Sequence, residues 1–541
     1  MQTDRNALTE GVIWKKLLFF ALPILLGNIF QQMYNTADAL IVGRFLDEAA
    51  LAAVTSSGSL IFMMVGFFNG IAMGAGVVIA KYFGAKDERG VSLAVHTDVA
   101  FGLVAGVVLT VLGVAFTPTI LRWMKTPENV LPNSIIYFRI YFCGAIFVVM
   151  YNIFVGILQA VGASKHPLFY LICSSLLNVV LDLLFVGGFH WGVWSAALAT
   201  TISQGASVAL CLIRLTKYET PYQLHPRLIR FHLPTLKNVI RFGLPSGVQN
   251  SIIAFANLVV QSNINPFGAA AMAGCGSYSK VEGFAFLPIT CFAMALSTFV
   301  GQNLGARQYD RVKKGVRFGI LCSVVLAELM GVAIFFLGPH LIALFNSTPD
   351  VVDFGTRQAK LEAFAYFLLA FSHCIAGIMR GAGKAMVPMF TMLVSWCLVR
   401  ITYITVVIRY IPKIEVVFSA YPLTWFISSV IFLIYFLKAD WLHNFDRLEA
   451  KQQAKAAMER AGVPVIPGTR IVPDVPAALQ AAEEVGYPIM LKARAGGGGR
   501  GIRMVQKPED MESAFQVAAQ ESQSAFGDNT LYLEKCIYPA R

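Results

Sequence analysis

"GILQAVGASKHPLF" occupies residues 156–169, and "GIMRGAGKAMVPMF" occupies residues 377–390. Gly156, Gly162 and Pro167 of the first stretch match Gly377, Gly383 and Pro388 of the second, each 221 residues further on. Two apolar segments can resemble each other through composition alone. Glycines and prolines at fixed offsets are harder to explain that way, because each one constrains the backbone. The same displacement relates "YFGAK" (82–86) to "NLGAR" (303–307), and nearly the same one relates "FALP" (20–23) to "FGLP" (242–245). The chain reads as an internal duplication.

What is duplicated is apolar. Of 541 residues, 56% are hydrophobic and 14% are charged, against roughly 25% charged in soluble proteins. A helix that crosses a bilayer needs about 20 apolar residues, and on that rule about twelve spans fit the chain. They lie near 15–43, 52–82, 93–117, 132–160, 166–188, 191–215, 236–264, 274–303, 316–345, 358–380, 386–410 and 415–438. The first run, starting near Leu17, is too long for a cleaved leader and many more follow, so it reads as a span. Each copy holds an even number of spans, so the second copy enters the membrane in the same direction as the first. The predicted fold is an all-α polytopic membrane protein of two parallel six-helix repeats, an N-terminal lobe at 1–225 and a C-terminal lobe at 226–445, with a cavity between them. From about Ala450 the texture becomes polar, and a small soluble α/β module follows over 446–541.

The net charge of +12 is distributed by topology. Basic residues crowd alternate loops: Lys81, Lys86 and Arg89; Arg214, Lys217, Arg227 and Arg230; Arg307, Arg311, Lys313 and Lys314; Arg380 and Lys384. This positive-inside alternation places those loops and both termini in the cytosol, and the protein in a plasma (inner) membrane. No basic patch stands apart from it, so nucleic acid is not an expected partner. The nine cysteines are scattered, with no C-x-x-C pair, and read as small packing residues rather than metal ligands or disulfides.

Ionisable residues within spans are costly and mark function by default. In the first span, Gln31, Tyr34, Asn35 and Asp38 fall at i, i+3, i+4 and i+7, one polar stripe on an apolar helix. Asp182 in the fifth span has Asn178 four residues earlier, on the same face, and the next span carries Thr200, Thr201 and Ser203. A carboxylate in an apolar bundle without a basic partner exchanges a proton near cytosolic pH. Two carboxylates with Asn and Thr oxygens also suit a small hard cation such as Na⁺. Local hydrogen bonding or pairing with Arg44 is the alternative. The second copy has Val260 and Tyr403 at the matching positions. Its acids are Glu282, Glu328 and Glu362. Lys280 and Lys360 suggest local pairing for the first and third, and Arg400 is a candidate partner for Glu328. Pro23, inside the first span, predicts a helix kink that is either coupled to Asp38 or static.

The doubled six-span plan, "LP" in spans one and seven, "GAK"/"GAR", and Asp38 with Asn178-x-x-x-Asp182 resemble the MATE (multidrug and toxic compound extrusion) transporters over about residues 10–445. The resemblance implies a cation-coupled antiporter that exports amphipathic, often cationic, organic compounds by alternating access. It implies no cofactor beyond the coupling ion, H⁺ or Na⁺. That ion would be held by Asp38, Asn178, Asp182, Ala196 (through its carbonyl) and Thr200, with Gln31 and Tyr34 lining the adjoining cavity. Members that couple in the C-terminal lobe carry an acid in span seven, and none is present here. A related branch flips lipid-linked or sugar-linked substrates.

In the tail, "AKAAMERAGVPVIPGT", "GYPIMLKARAGGGGRGIRMV" and "AFGDNTLYLEK" are similar to the nucleotide-binding part of biotin carboxylases, of the ATP-grasp fold. The resemblance implies that Lys492 contacts ATP phosphates. Gly496, Gly497, Gly498, Gly499 and Gly501 would fold over them with backbone N–H groups, and Glu534 and Lys535 would lie at the adenine pocket. The family's metal-binding acids and catalytic base lie downstream of the matched stretch. The tail is therefore expected to be a fusion or truncation remnant, able at most to bind ATP weakly and not an enzyme.

Overall fold

The computed structural model describes residues 8–45, 48–123, 128, 130–450, 472, 474–493, 502–526 and 531–536, without the side chains of 35, 39, 40, 43, 44, 48–65, 525 and 526. The chain divides into two compact units, Met1–Phe445 and Asp446–Arg541.

The first unit is helical throughout. Its first half comprises α1 (Ile13–Phe45), α2 (Glu48–Gly84), α3 (Glu88–Trp123), α4 (Leu131–Cys143), α5 (Ala145–Ala160), α6 (Lys165–Asp182) and α7 (Trp194–Lys217). The second half comprises α8 (Leu233–Ile264), α9 (Ala269–Gly305), α10 (Tyr309–Ala343), α11 (Pro349–Glu362), α12 (Tyr366–Gly381), α13 (Met386–Met392), α14 (Arg400–Tyr410) and α15 (Ile414–Lys438). By length and apolar composition, ten spans among the described residues can cross a membrane, or 11 when the bent pair α4–α5 counts as one. That pair, expected as one unbroken span, turns by 46° at Gly144. The remaining expected span is α8, whose 32 residues include Lys237, Arg241, Gln249, Asn250 and Asn257 and are too polar to qualify. Pro23 is buried inside α1, which continues as one helix through it.

The duplication is visible in the helix ends. The backbone is left-handed at Lys86 and Arg307 (φ 57° at both), and again at Gly162 (φ 85°) and Gly383 (φ 74°). At each, the next residue's N–H reaches back five residues: Asp87 to Tyr82, Gln308 to Asn303, Ala163 to Leu158 and Lys384 to Met379, at 2.8–3.0 Å. These are Schellman closures, which satisfy carbonyls that a helix end would otherwise leave bare. The matched motifs are therefore matched stops.

The two halves meet along two pseudo-symmetric seams that differ in construction. Between α2 and α8, a Cβ at Gly70 or Gly74 would overlap the backbone of Gly247 or Gly243. Small residues four apart on both helices allow this backbone-to-backbone approach. The related pair, α1 and α9, is spaced by side chains, with Asn28 Nδ2 donating to Cys291 Sγ at 3.4 Å. At one end of the bundle Gln302 ties the halves together. Its Nε2 donates to Ala160 O (2.6 Å), its Oε1 accepts from Leu8 N (2.8 Å), and its backbone carbonyl lies against Gly84. Residues 8–11, ahead of α1, are strapped to the second half by Arg311, which donates to the carbonyls of Leu8, Glu10 and Gly11 at 2.7–3.2 Å.

The second unit has a three-stranded antiparallel sheet, order β2-β1-β3, from β1 (Ile489–Ala493), β2 (Ile502–Val505) and β3 (Leu531–Lys535). Helices Val475–Val485 and Met511–Phe526 complete a small core around Ile489, Leu491, Val505, Met511 and Leu533.

Replacing Gly74 with Val should force α2 and α8 apart. Overpacking of this kind costs roughly 1–3 kcal/mol. The yield of monodisperse detergent-solubilised protein on size-exclusion chromatography should fall. Gly276→Ala, where a Cβ meets nothing within 4 Å, should leave it unchanged.

Candidate functional site in the first lobe

Helix α6 packs between α1 and α7, so its inward face decides what meets at that junction. Asp38 on α1 is half-buried and Asp182, at the end of α6, is fully buried. Their carboxyls face each other closely enough to interact directly. Asn178, one turn before Asp182, donates from Nδ2 to Thr200 Oγ1 on α7 (3.4 Å). Thr200 in turn donates to the Ala196 carbonyl (3.1 Å). All five residues expected at the coupling site thus come to one junction of three helices.

Among the described residues, four buried oxygens there have no hydrogen-bond partner: Asp38 Oδ1, both oxygens of Asp182, and Asn178 Oδ1. Buried polar atoms are normally satisfied. Among the described residues, no lysine or arginine figures in the electrostatic surroundings of either aspartate; the side chain of Arg44 lies outside them. Two carboxyls, an amide oxygen and a threonine hydroxyl form an all-oxygen donor set. Such a set fits a proton or a hard monovalent cation and lacks the nitrogen and sulfur ligands that softer metals favour. Among the described residues, no group of three or more His, Cys, Asp or Glu could hold a metal ion. All nine cysteines are free.

Tyr34 is half-buried beside the pair, with Gln31 and Gln204 as neighbours. The side chain of Asn35 lies outside the described residues. Three neighbours escaped the sequence reading. Gln204 lies one helical turn beyond Thr200. Tyr137 and Tyr141, one turn apart on α4, lie within electrostatic range of the site, Tyr137 of both aspartates and Tyr141 of Tyr34. Their spacing was the available signal, but α4 is aromatic on several sides and the pattern does not stand out.

The second lobe corrects three expectations. Glu282 and Glu362 do not pair with Lys280 and Lys360. They face each other, with Arg400 nearby, and Lys280 lies over the Phe345 ring. Arg400 does not answer Glu328, which accepts from Phe367 N at 3.3 Å; Arg400 donates to Thr424 Oγ1 at 2.8 Å.

In the tail, Lys492 on β1 pairs with Glu534 on the adjacent β3. Lys535 donates to the carbonyls of Gly486 (2.8 Å) and Tyr487 (3.3 Å). Gly496, Gly497, Gly498, Gly499 and Gly501 lie outside the described residues.

The family model MatE matches residues 23–184 and again 245–406, together more than half of the chain. The chain belongs to the MatE family. Its two matches coincide with the two halves described above, and the chain is accordingly a multi-pass membrane protein of a transporter family. Residues 450–541 match the carbamoyl-phosphate synthase L chain, ATP binding domain, so the MatE portion is followed by an ATP-grasp fragment. Among curated relatives, the probable multidrug resistance protein YoeA of Bacillus subtilis (strain 168) is 29% identical over 450 residues, covering 81% of this chain and 97% of that protein. The probable multidrug resistance protein NorM of Thermotoga maritima is 25% identical over 403 residues, covering 74% and 86%. A solved outward-facing MATE transporter of the MOP superfamily superposes with a TM-score of 0.75 at 20% identity, covering 83% of this chain and 99% of that one. A MOP superfamily transporter from Pyrococcus furiosus superposes with a TM-score of 0.73 at 20% identity, with the same coverage. These likenesses establish a MatE fold.

Thr200→Val keeps the side-chain volume but removes the acceptor for Asn178. A buried amide left unpaired costs roughly 1–3 kcal/mol. The thermal unfolding midpoint of the purified protein should drop, while Thr216→Val, on the exposed end of the same helix, should leave it in place.

Proposed function

We propose that this protein is a secondary active antiporter of the plasma (inner) membrane, with both termini in the cytosol. It exports amphipathic, cationic organic compounds by alternating access, driven by H⁺ or Na⁺ bound in the N-terminal lobe. The observation that carries the reading is the set of four unpartnered buried oxygens at the α1–α6–α7 junction. The multidrug names of the curated relatives supply the substrate class.

The chemistry follows from charge. Two facing carboxylates in an apolar bundle repel each other until a cation or a proton joins them. Loading therefore draws α1 toward α6, and unloading releases it. Because α1 forms the loosely packed seam with α9, a change in its position alters the space between the lobes. Asn178 and Thr200 hold α6 and α7 in register, so that the motion falls on α1. Tyr34, one turn before Asp38 on that helix, carries the change to the cavity wall. An organic cation favoured by the unloaded, negative site is expelled when the coupling ion returns, which is antiport. The glycine-rich tail supplies no step in this reading, and any ATP binding to it is incidental.

The test uses proteoliposomes loaded with a fluorescent organic cation, challenged in turn with a proton gradient, a sodium gradient, and Mg-ATP without a gradient. One of the ion gradients should drive movement, and Asp38→Asn and Asp182→Asn should each abolish it. Movement driven by ATP alone would overturn the proposal. Deleting residues 451–541 should leave gradient-driven transport at its original rate; abolition would make the tail part of the machine.

A further inference from the structure

The stretch that joins the two halves carries no acid. From Thr220 to Val281 the sequence contains neither Asp nor Glu, while Arg227, Arg230, Lys237 and Arg241 fall close together within it. Its first part is pinned to the first half. Tyr222 and Leu224 are buried. His225 N donates to His96 Nε2 on α3 (3.0 Å), and His232 N donates to Thr97 Oγ1 of the same helix (3.3 Å). Between those two bonds, Arg227, Leu228, Arg230 and Phe231 are all exposed.

The start of α8 continues the pattern. Leu233, Lys237, Ile240, Arg241 and Leu244 are exposed, and at i, i+4, i+7, i+8 and i+11 they form one stripe. On a span, exposed apolar side chains face lipid tails and long basic ones near a helix end reach the headgroups. With 32 residues, α8 is about 48 Å long, against a hydrocarbon core of about 30 Å. Its first turns therefore stand at headgroup depth, with Lys237 and Arg241 one turn apart. Among the described residues, none of the four basic side chains makes a hydrogen bond or an ion pair. Arg357, also exposed, bridges Asp353 and Glu415.

The matching turn of α1 is different. The displacement that relates "FALP" to "FGLP" sets Lys15 against Lys237 but Phe19 against Arg241. Lys15 lies over the Trp14 ring at 5.5 Å. The doubled basic turn is thus peculiar to the second copy. A face made only for water has no use for Leu228, Phe231 and Leu233, the last 73% exposed. A ligand with both negative charge and a hydrocarbon tail uses every part of it.

We propose that residues 227–241 form a binding site for an anionic glycerophospholipid of the surrounding bilayer. Lys237 and Arg241 hold the phosphate, Arg227 and Arg230 meet the rest of the headgroup, and an acyl chain runs along Ile240 and Leu244. The site rests on α8 crossing the bilayer and is independent of the coupling ion and the exported compound.

The test is native mass spectrometry of the full-length protein in a neutral detergent, titrated with dioleoylphosphatidylglycerol or dioleoylphosphatidylcholine. The phosphatidylglycerol adduct should be retained in preference. K237Q/R241Q should weaken it about 25-fold, roughly fivefold for each basic group near an anionic headgroup. K237R/R241K should keep the preference. So should K313Q/R357Q, which removes two charges that already have acidic partners. All of these residues are exposed, so the variants should fold. Glycerol phosphate, the headgroup without chains, should not displace the lipid. Equal retention of the two lipids, a preference indifferent to K237Q/R241Q, or displacement by glycerol phosphate would each overturn the proposal. A second copy of the chain held in place of lipid, and lost in K237Q/R241Q, would overturn it too. No gradient is imposed, so this site and the antiport reading fail independently.

Discussion

Contact between α2 and α8 is the constraint on which the rest of the structure depends. Without side chains at Gly70, Gly74, Gly243 and Gly247, the two backbones touch, and dispersion between closely packed atoms holds the halves together where lipid offers no hydrophobic drive. The pseudo-symmetric α1–α9 pair packs less closely and is bridged by the hydrogen bond from Asn28 to Cys291. One tight seam and one loose seam give the bundle a fixed side and a yielding side. Asp38 sits on the yielding side.

Much of this was legible in sequence because glycine and proline report backbone geometry directly. Residues 86, 162, 307 and 383 were matched on sequence, and all four proved to be left-handed helix stops. At the α1–α6–α7 junction, Asn178 and Asp182 were legible for a related reason, since residues four apart must share a helix face; the full set with Ala196 and Thr200 came from the family resemblance. The second-lobe acids were misread through the same geometry. Lys280 and Glu282 are two residues apart, and on a helix such neighbours point nearly opposite ways. Proximity in sequence was therefore an argument against their pairing. The turn at Gly144 left no hydropathic trace, since both arms are apolar. Of the polar residues of α8, Gln249 is buried and Asn250 half-buried, while Lys237, Arg241 and Asn257 are exposed, and together they lower the hydropathy of the whole helix.

The tail illustrates the difference between having residues and having a site. Lys492 and Glu534 meet because β1 and β3 are antiparallel neighbours with Met490 opposite Glu534 and Lys492 opposite Tyr532. A salt bridge across a strand pair is ordinary sheet chemistry. It neutralises the lysine that the resemblance would place on phosphate, so a nucleotide would have to compete with Glu534 for it.

The strap formed by residues 8–11 has a kinetic meaning. Its carbonyls are held by Arg311 of the opposite half, and Leu8 N is held by Gln302. Separating the halves at that end must break these bonds before new ones form, and each is worth about 1 kcal/mol net. An activation barrier raised by about 1.4 kcal/mol slows a step tenfold. In the proposed alternating-access cycle, a few residues outside any span would thereby act as an escapement, setting its pace without touching ion or substrate.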